Sequence, residues 1–231
     1  LPFLQNTRRK MKMVMYMIET NDWLEQFSQK LIQQFGEEIV FIGLQGSRAR
    51  GDAKLDSDID VVVIFKELTI DRLSAYEIVT HTMPNRHLLC GFISGVDELK
   101  AWDKSDLFTF VYDTKAVYGS LEFLKQHIQL EDIKRFIRAG AGNSYHMTLH
   151  NYLHTKSAES IQAVFKNARF VIQGKQFLKT EIFQSDIGNL LLNAEGLDQQ
   201  VLNRFLEIQQ GSPVHLQQDT TLIFLWAKET L

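Results

Sequence analysis

Two carboxylates two residues apart, Asp58 and Asp60, stand where a polar stretch runs into the apolar segment Val61-Val62-Val63. On a β-strand, side chains two residues apart point to the same face, so these two would lie about 6.5 Å apart along the chain. Carboxylates at that spacing can bind the same Mg²⁺ ion, which prefers hard oxygen ligands and is commonly shared with substrate phosphates. The spacing therefore predicts a magnesium site of one or two ions.

The segment upstream, with the sequence GSRARG at 46–51, is suited to bind phosphate. Gly46 allows the backbone to approach a phosphate closely, and the hydroxyl and amide of Ser47 can donate to its oxygens. Arg48 or Arg50 can add charge-assisted hydrogen bonds. We also count Ser57, beside the carboxylates, among the nucleotide-binding residues.

Placed together, these groups would hold a nucleoside triphosphate from two sides. In-line attack on phosphorus requires mainly positioning and neutralisation of charge, which metal ions and cationic side chains supply. A Gly-Ser pair alone, or Asp-x-Asp alone, is often only a turn or the start of a strand. The conjunction of both in this order, with an apolar strand after them, is much harder to explain by structure alone.

The two motifs resemble the signature of the nucleotidyltransferase superfamily that includes DNA polymerase β, and within it the small bacterial aminoglycoside nucleotidyltransferases. That signature is Gly-Ser, a short loop, and Asp-x-Asp at a strand, matched here by 46–47 and 58–60 within a resemblance over about 36–66. The resemblance implies a mixed sheet flanked by helices and Mg²⁺-dependent transfer of a nucleoside monophosphate to an acceptor hydroxyl, with release of pyrophosphate. It also implies a helical C-terminal domain that closes over the cleft.

This chain departs from the family in one respect, because family enzymes usually carry a third carboxylate on a later strand. The corresponding strand, HLLCGFIS at 87–94, contains no acid. His87 is a candidate base by its ordinary pKa, although a polar residue that opens a strand is the favoured interpretation. The acids that follow the strand and could substitute are Asp97, Glu98, Asp103, Asp106 and Asp113.

The elements that must position these residues follow from hydrophobic spacing and from glycine and proline stop signals. Apolar residues recur at three- and four-residue spacing before Gly36, which indicates a helix, and two buried strands flank the polar connector at 45–57. The predicted helices are 21–35, 71–82 and 96–102, and the predicted strands are 39–44, 59–65, 88–94, 107–112 and a short one around Val117.

After Gly119 the helical period dominates almost to the end of the chain. We therefore predict an α/β (α+β) nucleotidyltransferase domain at 1–119 and an all-α helical bundle at 120–231 that binds the acceptor or a partner. Two groups on the predicted helices are candidates for further roles. His146, His150 and His154 suggest a polar face bordering the cleft or, less favoured, a metal site; Lys166, Arg169 and Lys175 suggest a solvated face or a contact with the triphosphate.

Composition limits the function classes. The chain has 231 residues, 45% hydrophobic and 23% charged, and a net charge of −3. These values are typical of a globular protein of one or two domains and argue against an extended nucleic-acid surface. The single cysteine, Cys90, excludes an intramolecular disulfide, which is consistent with the cytoplasm.

The first twenty residues superficially resemble a signal peptide, because three basic residues at 8–10 precede an apolar run at 11–18. Lys12 interrupts that run and no small-residue cleavage site follows, so we interpret 1–20 as an extension. No stretch approaches the ~18 apolar residues of a membrane helix, so we expect no membrane partner.

These observations predict a cytoplasmic, ATP-binding, magnesium-dependent nucleotidyltransferase. It would transfer AMP, or another nucleoside monophosphate, from a triphosphate to a hydroxyl of an unidentified small molecule or protein. The catalytic metal ligands would be Asp58 and Asp60. The alternative is a catalytically impaired nucleotide-binding module that acts through a protein partner, which the empty third-carboxylate position motivates.

Overall fold

A computed structural model of the protein describes residues 19–231, so the interpretation of the first eighteen residues falls outside the described part. Within 19–231 the strands are β1 (Ile39–Leu44), β2 (Ile59–Phe65), β3 (Leu89–Gly95) and β4 (Lys115–Gly119). The helices are α1 (Thr20–Phe35), α2 (Gly46–Arg50), α3 (Ile70–His81), α4 (Val96–Ala101), α5 (Lys104–Tyr112), α6 (Glu122–Lys125), α7 (Leu130–His150), α8 (Ala158–Thr180), α9 (Ile187–Leu192), α10 (Gly196–Gln209) and α11 (Leu216–Thr230).

The four strands form one mixed sheet in the order β3-β2-β1-β4. Strand β1 is antiparallel to β2 and to β4, whereas β2 and β3 are parallel. Strand β2 is central and buried on both faces, which explains why its sequence is a continuous apolar run rather than an alternation. The predicted mixed sheet flanked by helices is confirmed.

Helices cover both faces of the sheet. On one face, Val61 and Val63 of β2 pack with the buried side chains of α1 and α3. On the other face, Val62 and Ile64 pack with Leu107 and other side chains of α4, α5 and α6. Because side chains alternate along a strand, Asp60 shares this second face with Val62 and Ile64.

The prediction of a strand at 107–112 is wrong, because this segment is most of helix α5. Aromatic and β-branched residues dominate its sequence, LFTFVY, and these residue types favour strands in isolation. The buried positions are nevertheless helical in spacing: Leu107 and Val111 face the sheet, and Phe108 faces the helical half. Asp103 caps the helix by accepting a hydrogen bond from the Ser105 amide at 2.8 Å.

The residues after β4 are predominantly helical, as predicted, and long helices α7, α8, α10 and α11 enclose a core of their own. Helix α5 contributes Phe108 to that core, where its ring contacts those of Phe136, Phe177 and Phe183. The last strand ends at Gly119, but the packing of α5 already joins the two halves before that point. The domain boundary near residue 119 stays a prediction.

No helix within residues 19–231 combines the length and apolarity that a membrane span needs. The single cysteine among all 231 residues, Cys90, is a free and exposed thiol on β3.

Substitution of Phe108 tests the packing that joins the two halves. We expect Phe108→Ala to lower the free energy of unfolding by about 3–5 kcal/mol, because the ring is fully buried among other rings. Urea denaturation followed by circular dichroism measures this loss. Ile78→Ala, at a side chain that is 68% exposed on α3, is the control and should change stability by less than about 0.5 kcal/mol. Equal midpoints for the two variants would contradict the assignment.

Candidate active site

The turn from β1 into α2 is packed directly against the carboxylate of Asp60. The amide of Gln45 donates to the carbonyl oxygen of Asp60 at 2.8 Å. Gly46 follows with a φ of +71°, and a Cβ atom built there would overlap Oδ2 of Asp60. This position therefore requires glycine for two reasons, backbone conformation and space.

The two candidate metal ligands lie where β2 begins. Asp58 is exposed just before the strand, and Asp60 is partly buried within it. Burial raises the pKa of Asp60, the negative charge of Asp58 raises it further, and the cations Lys166 and Arg50 act in the opposite direction. A divalent cation would stabilise the ionised form of Asp60, whose pKa is raised, and oxygen ligands two residues apart are a donor set that Mg²⁺ accepts, so these residues fit a Mg²⁺ site.

Asp60 lies at one wall of a cleft of about 360 Å³. The sheet half supplies one side of this cleft, and helix α8 of the helical half supplies the other. Its lining residues are Gln45, Gly46, Arg50, Asp60, Thr109, Phe110, Asp113, Lys166 and Phe170. The cleft therefore brings the predicted phosphate-binding segment 46–51 (the phosphate loop) and a predicted metal ligand, Asp60, close to a cationic and an aromatic side chain of helix α8.

Lys166 and Phe170 lie one turn apart on α8, which explains why both reach the same cleft. The sequence favoured a solvated face for Lys166, Arg169 and Lys175. Lys166 is exposed as expected and also faces Asp60 across the cleft. Arg169 contradicts the solvated face, because it is only 4% exposed. Lys175 forms an ion pair with Asp198 at 2.7 Å and lies away from the cleft.

Two predicted nucleotide-binding residues have structural contacts. Arg48 is only 8% exposed, and its guanidinium donates to the carbonyl oxygens of Ser57 at 2.7 Å and Asp58 at 3.0 Å. The hydroxyl of Ser57 accepts from the amide of Lys54 at 2.8 Å. These contacts close the loop between α2 and β2 and hold Asp58 in place. Neither Arg48 nor Ser57 lines the cleft, and neither does Ser47.

Arg50 does line the cleft, but it is already paired. Its Nη1 atom donates to Oδ2 of Asp113 at 3.2 Å, and its Nε atom lies 3.6 Å from Oδ2 of Asp52. Asp113 follows the last residue of α5 and is one of the five acids that could substitute for the missing carboxylate. Its location in the cleft depends on α5 being a helix, so the strand prediction concealed it.

The strand on which the third carboxylate was expected is β3, and there Cys90 is in register with Asp60 of the parallel neighbour β2. Within the described part of the chain, no three histidine, cysteine or acidic side chains are placed to hold a metal ion together. Asp113 shares the cleft with Asp60 but does not complete such a group. His87, in the turn before β3, does not line the cleft.

The three histidines on α7 and the turn after it are exposed, with ring centroids 6.3 Å and 5.0 Å apart. None of His146, His150 and His154 lines the cleft, so the predicted face bordering it is wrong. Helix α7 ends in a π-helical turn, Asn151–Thr155, which carries the last histidine beyond the regular helix.

The comparison with protein families agrees with this geometry. Residues 24–132 match the family model described as the nucleotidyltransferase domain. The match supports the predicted resemblance to nucleotidyltransferases over the part of the chain that contains residues 46–51, both aspartates and Asp113.

One curated protein matches a short segment of this chain. A protein of Methanocaldococcus jannaschii, described as a protein adenylyltransferase, is 41% identical over 59 residues. The match covers 26% of this chain, and the chain spans 40% of the length of that relative.

A solved structure resembles the whole architecture. Spectinomycin adenyltransferase AAD(9) from Enterococcus faecialis, determined with ATP and spectinomycin, aligns with a TM-score of 0.55 and 13% identity. The alignment covers 91% of this chain and 98% of the other. At this identity the comparison shows a common fold that includes both halves.

Two glycines of the same loop form a matched pair for testing the site. Gly46 and Gly51 both have positive φ, +71° and +83°, but the space around Gly51 is open, whereas Asp60 fills that around Gly46. Alanine at either position should cost about 1–2 kcal/mol of stability. We expect Mg²⁺ together with ATP to raise the melting temperature of the wild type, and only Gly46→Ala, which displaces Asp60, should abolish that rise. The same rise in both variants would contradict the close packing described here.

Proposed function

We propose that this protein transfers AMP from ATP to a hydroxyl group of an acceptor. The observation that carries the proposal is the cleft in which Asp60, Gly46 and Lys166 meet, because it combines a carboxylate, a close backbone approach and a cation from the opposite half. The family match to a nucleotidyltransferase domain supports the reaction class. ATP as donor is inferred from the two relatives named as adenylyltransferases.

In the proposed reaction, the acceptor oxygen attacks the α-phosphorus of ATP. The bond between that phosphorus and the bridging oxygen of the β-phosphate breaks, pyrophosphate leaves, and the hydroxyl proton is released. Little covalent chemistry is required from the protein, so the residues act mainly by positioning and by stabilising charge.

Each residue has a role that its surroundings support. The backbone at Gly46, which lines the cleft, would contact the triphosphate at the start of α2. Arg50 and Lys166 would neutralise its charge from opposite walls of the cleft. Asp58 and Asp60 would hold Mg²⁺, which when bound supplies positive charge at the phosphate oxygens.

The acceptor side is open to two classes of hydroxyl. One relative is named for modification of a protein and the other for modification of spectinomycin. In this chain the cleft wall away from the phosphate loop is formed by Thr109 and Phe110 of α5 and by Phe170 of α8. We propose that these residues contact the acceptor or the base.

The second candidate is a nucleotide-binding module that acts through a protein partner. The observation in its favour is that β3, the strand expected to carry an acid, places Cys90 in register with Asp60. Release of pyrophosphate from ATP, measured against a panel of protein and small-molecule acceptors, distinguishes the two. Turnover with any acceptor would eliminate the binding module.

The metal assignment is tested by Asp58→Asn and Asp60→Asn. We expect each variant to lose Mg²⁺-dependent ATP binding in isothermal titration calorimetry, because one of two metal ligands is neutralised. The metal-free melting temperature of Asp60→Asn should not fall, since the fold disfavours the ionised form of this side chain.

Asp56→Asn is the matched control, because Asp56 is an exposed acid of the same loop. It should bind ATP as the wild type does. Wild-type affinity in both Asp58→Asn and Asp60→Asn would refute the metal site.

The contribution of the helical half is tested by Lys166→Ala. Loss of a cation that contacts the triphosphate should raise the dissociation constant of Mg²⁺·ATP by roughly ten- to a hundredfold, as for a hydrogen bond to a charged group. Lys179→Ala removes an exposed lysine from the far end of α8 and should leave the constant unchanged. Equal constants for the two variants would exclude Lys166 from the nucleotide site.

A further inference from the structure

Asp113 is a carboxylate that neither the metal site nor the proposed chemistry uses, although it is central to the cleft. Its side chain is only 9% exposed and accepts from Nη1 of Arg50. Burial raises its pKa, whereas Arg50, the Ser185 side chain and Arg169 act to lower it. One acid therefore interacts with the phosphate-loop helix α2 and with two residues of the helical half.

The two cations on either side of Asp113 repel each other. Arg169 is 4% exposed, and its Nη2 donates to the carbonyl oxygen of Ser185 at 2.7 Å. Burial lowers the pKa of Arg169, the charge of Arg50 lowers it further, and Asp113 opposes both effects. Without the acid, the exposed carboxylates of Asp52 and Asp186 would be left to offset the two guanidinium groups, which come from different halves.

The pairing also determines how Arg50 can meet a ligand. The Nη1 atom of Arg50 donates to Asp113, which fixes the orientation of the guanidinium plane. The buried Nε atom makes no hydrogen bond with any described residue. A guanidinium held on one side can present its remaining donors to phosphate oxygens with little further loss of side-chain freedom.

We propose that Asp113 is a positioning residue that holds Arg50 in the cleft through its ion pair with Nη1. The proposal rests on the proposed function for its ligand, a metal-bound nucleoside triphosphate. Asp113 acts through Arg50 and is neither a metal ligand nor a base.

A double-mutant cycle on the full chain tests this role, with Mg²⁺·ATP as the probe. We expect Asp113→Asn to raise the dissociation constant roughly tenfold and Arg50→Ala to raise it at least as much. The double variant should bind no more weakly than Arg50→Ala alone, because Asp113 has no effect once its partner is absent. Additive losses, or ATP binding by Asp113→Asn as tight as in the wild type, would overturn the proposal.

Asp52 offers a matched control, because it is the other carboxylate near Arg50 but its side chain is 52% exposed. Asp52→Asn makes the same chemical change beside the same guanidinium and should shift the constant less than twofold. An Asp52→Asn effect equal to that of Asp113→Asn would mean that any nearby negative charge suffices, which contradicts positioning.

A urea-denaturation cycle on the same variants needs no ligand and separates this proposal from the proposed function. Asp113→Asn should lower the unfolding midpoint, and addition of Arg50→Ala should cause no further loss. Wild type that binds no ATP would refute the proposed function, whereas independent stability losses would refute the role of Asp113. If Asp113→Asn does not fold, Asp113→Glu, which keeps the charge but moves it, replaces it in both cycles, and additivity with Arg50→Ala would again overturn the proposal.

Discussion

The site depends on the close approach of the Gly46 backbone to the carboxylate of Asp60. This contact exists because β1 and β2 are paired antiparallel neighbours, so that the end of β1 meets the start of β2. The Gln45 amide extends the pairing by one hydrogen bond to Asp60, and the chain then turns at positive φ into α2. A side chain at residue 46 would separate the loop from the carboxylate, and the phosphate and metal sites would no longer share one ligand.

Helix α5 forms another wall of the cleft beside Gly46 and Asp60. One of its faces packs on the sheet through Leu107 and Val111, and another packs into the helical core through Phe108. Its exposed turn supplies Phe110 to the cleft, and Asp113 follows directly after its last residue. The same helix therefore joins the two halves and furnishes the surface between them, so stability and site geometry are coupled.

Charges of both signs meet at the cleft. Asp58 and Asp60 repel each other where the metal is proposed, whereas Lys166 and Arg50 face the same space from opposite halves. Under the proposed function, a metal-bound triphosphate would complement both signs of charge, and such a local site is compatible with a nearly balanced net charge.

The sequence by itself predicted that Gly46, Asp58 and Asp60 lie together, because one pair of adjacent strands joins them and local spacing defines both strands. It did not determine the roles of Arg48 and Arg50, since only the folded loop shows that one guanidinium binds loop carbonyls and the other enters the cleft. Tertiary structure alone decided the opposite wall. Segment 107–112 has residue types that favour strands, but it is helical because it packs against both the sheet and the core of the helical half. Local propensity contains no information about the second of these contacts.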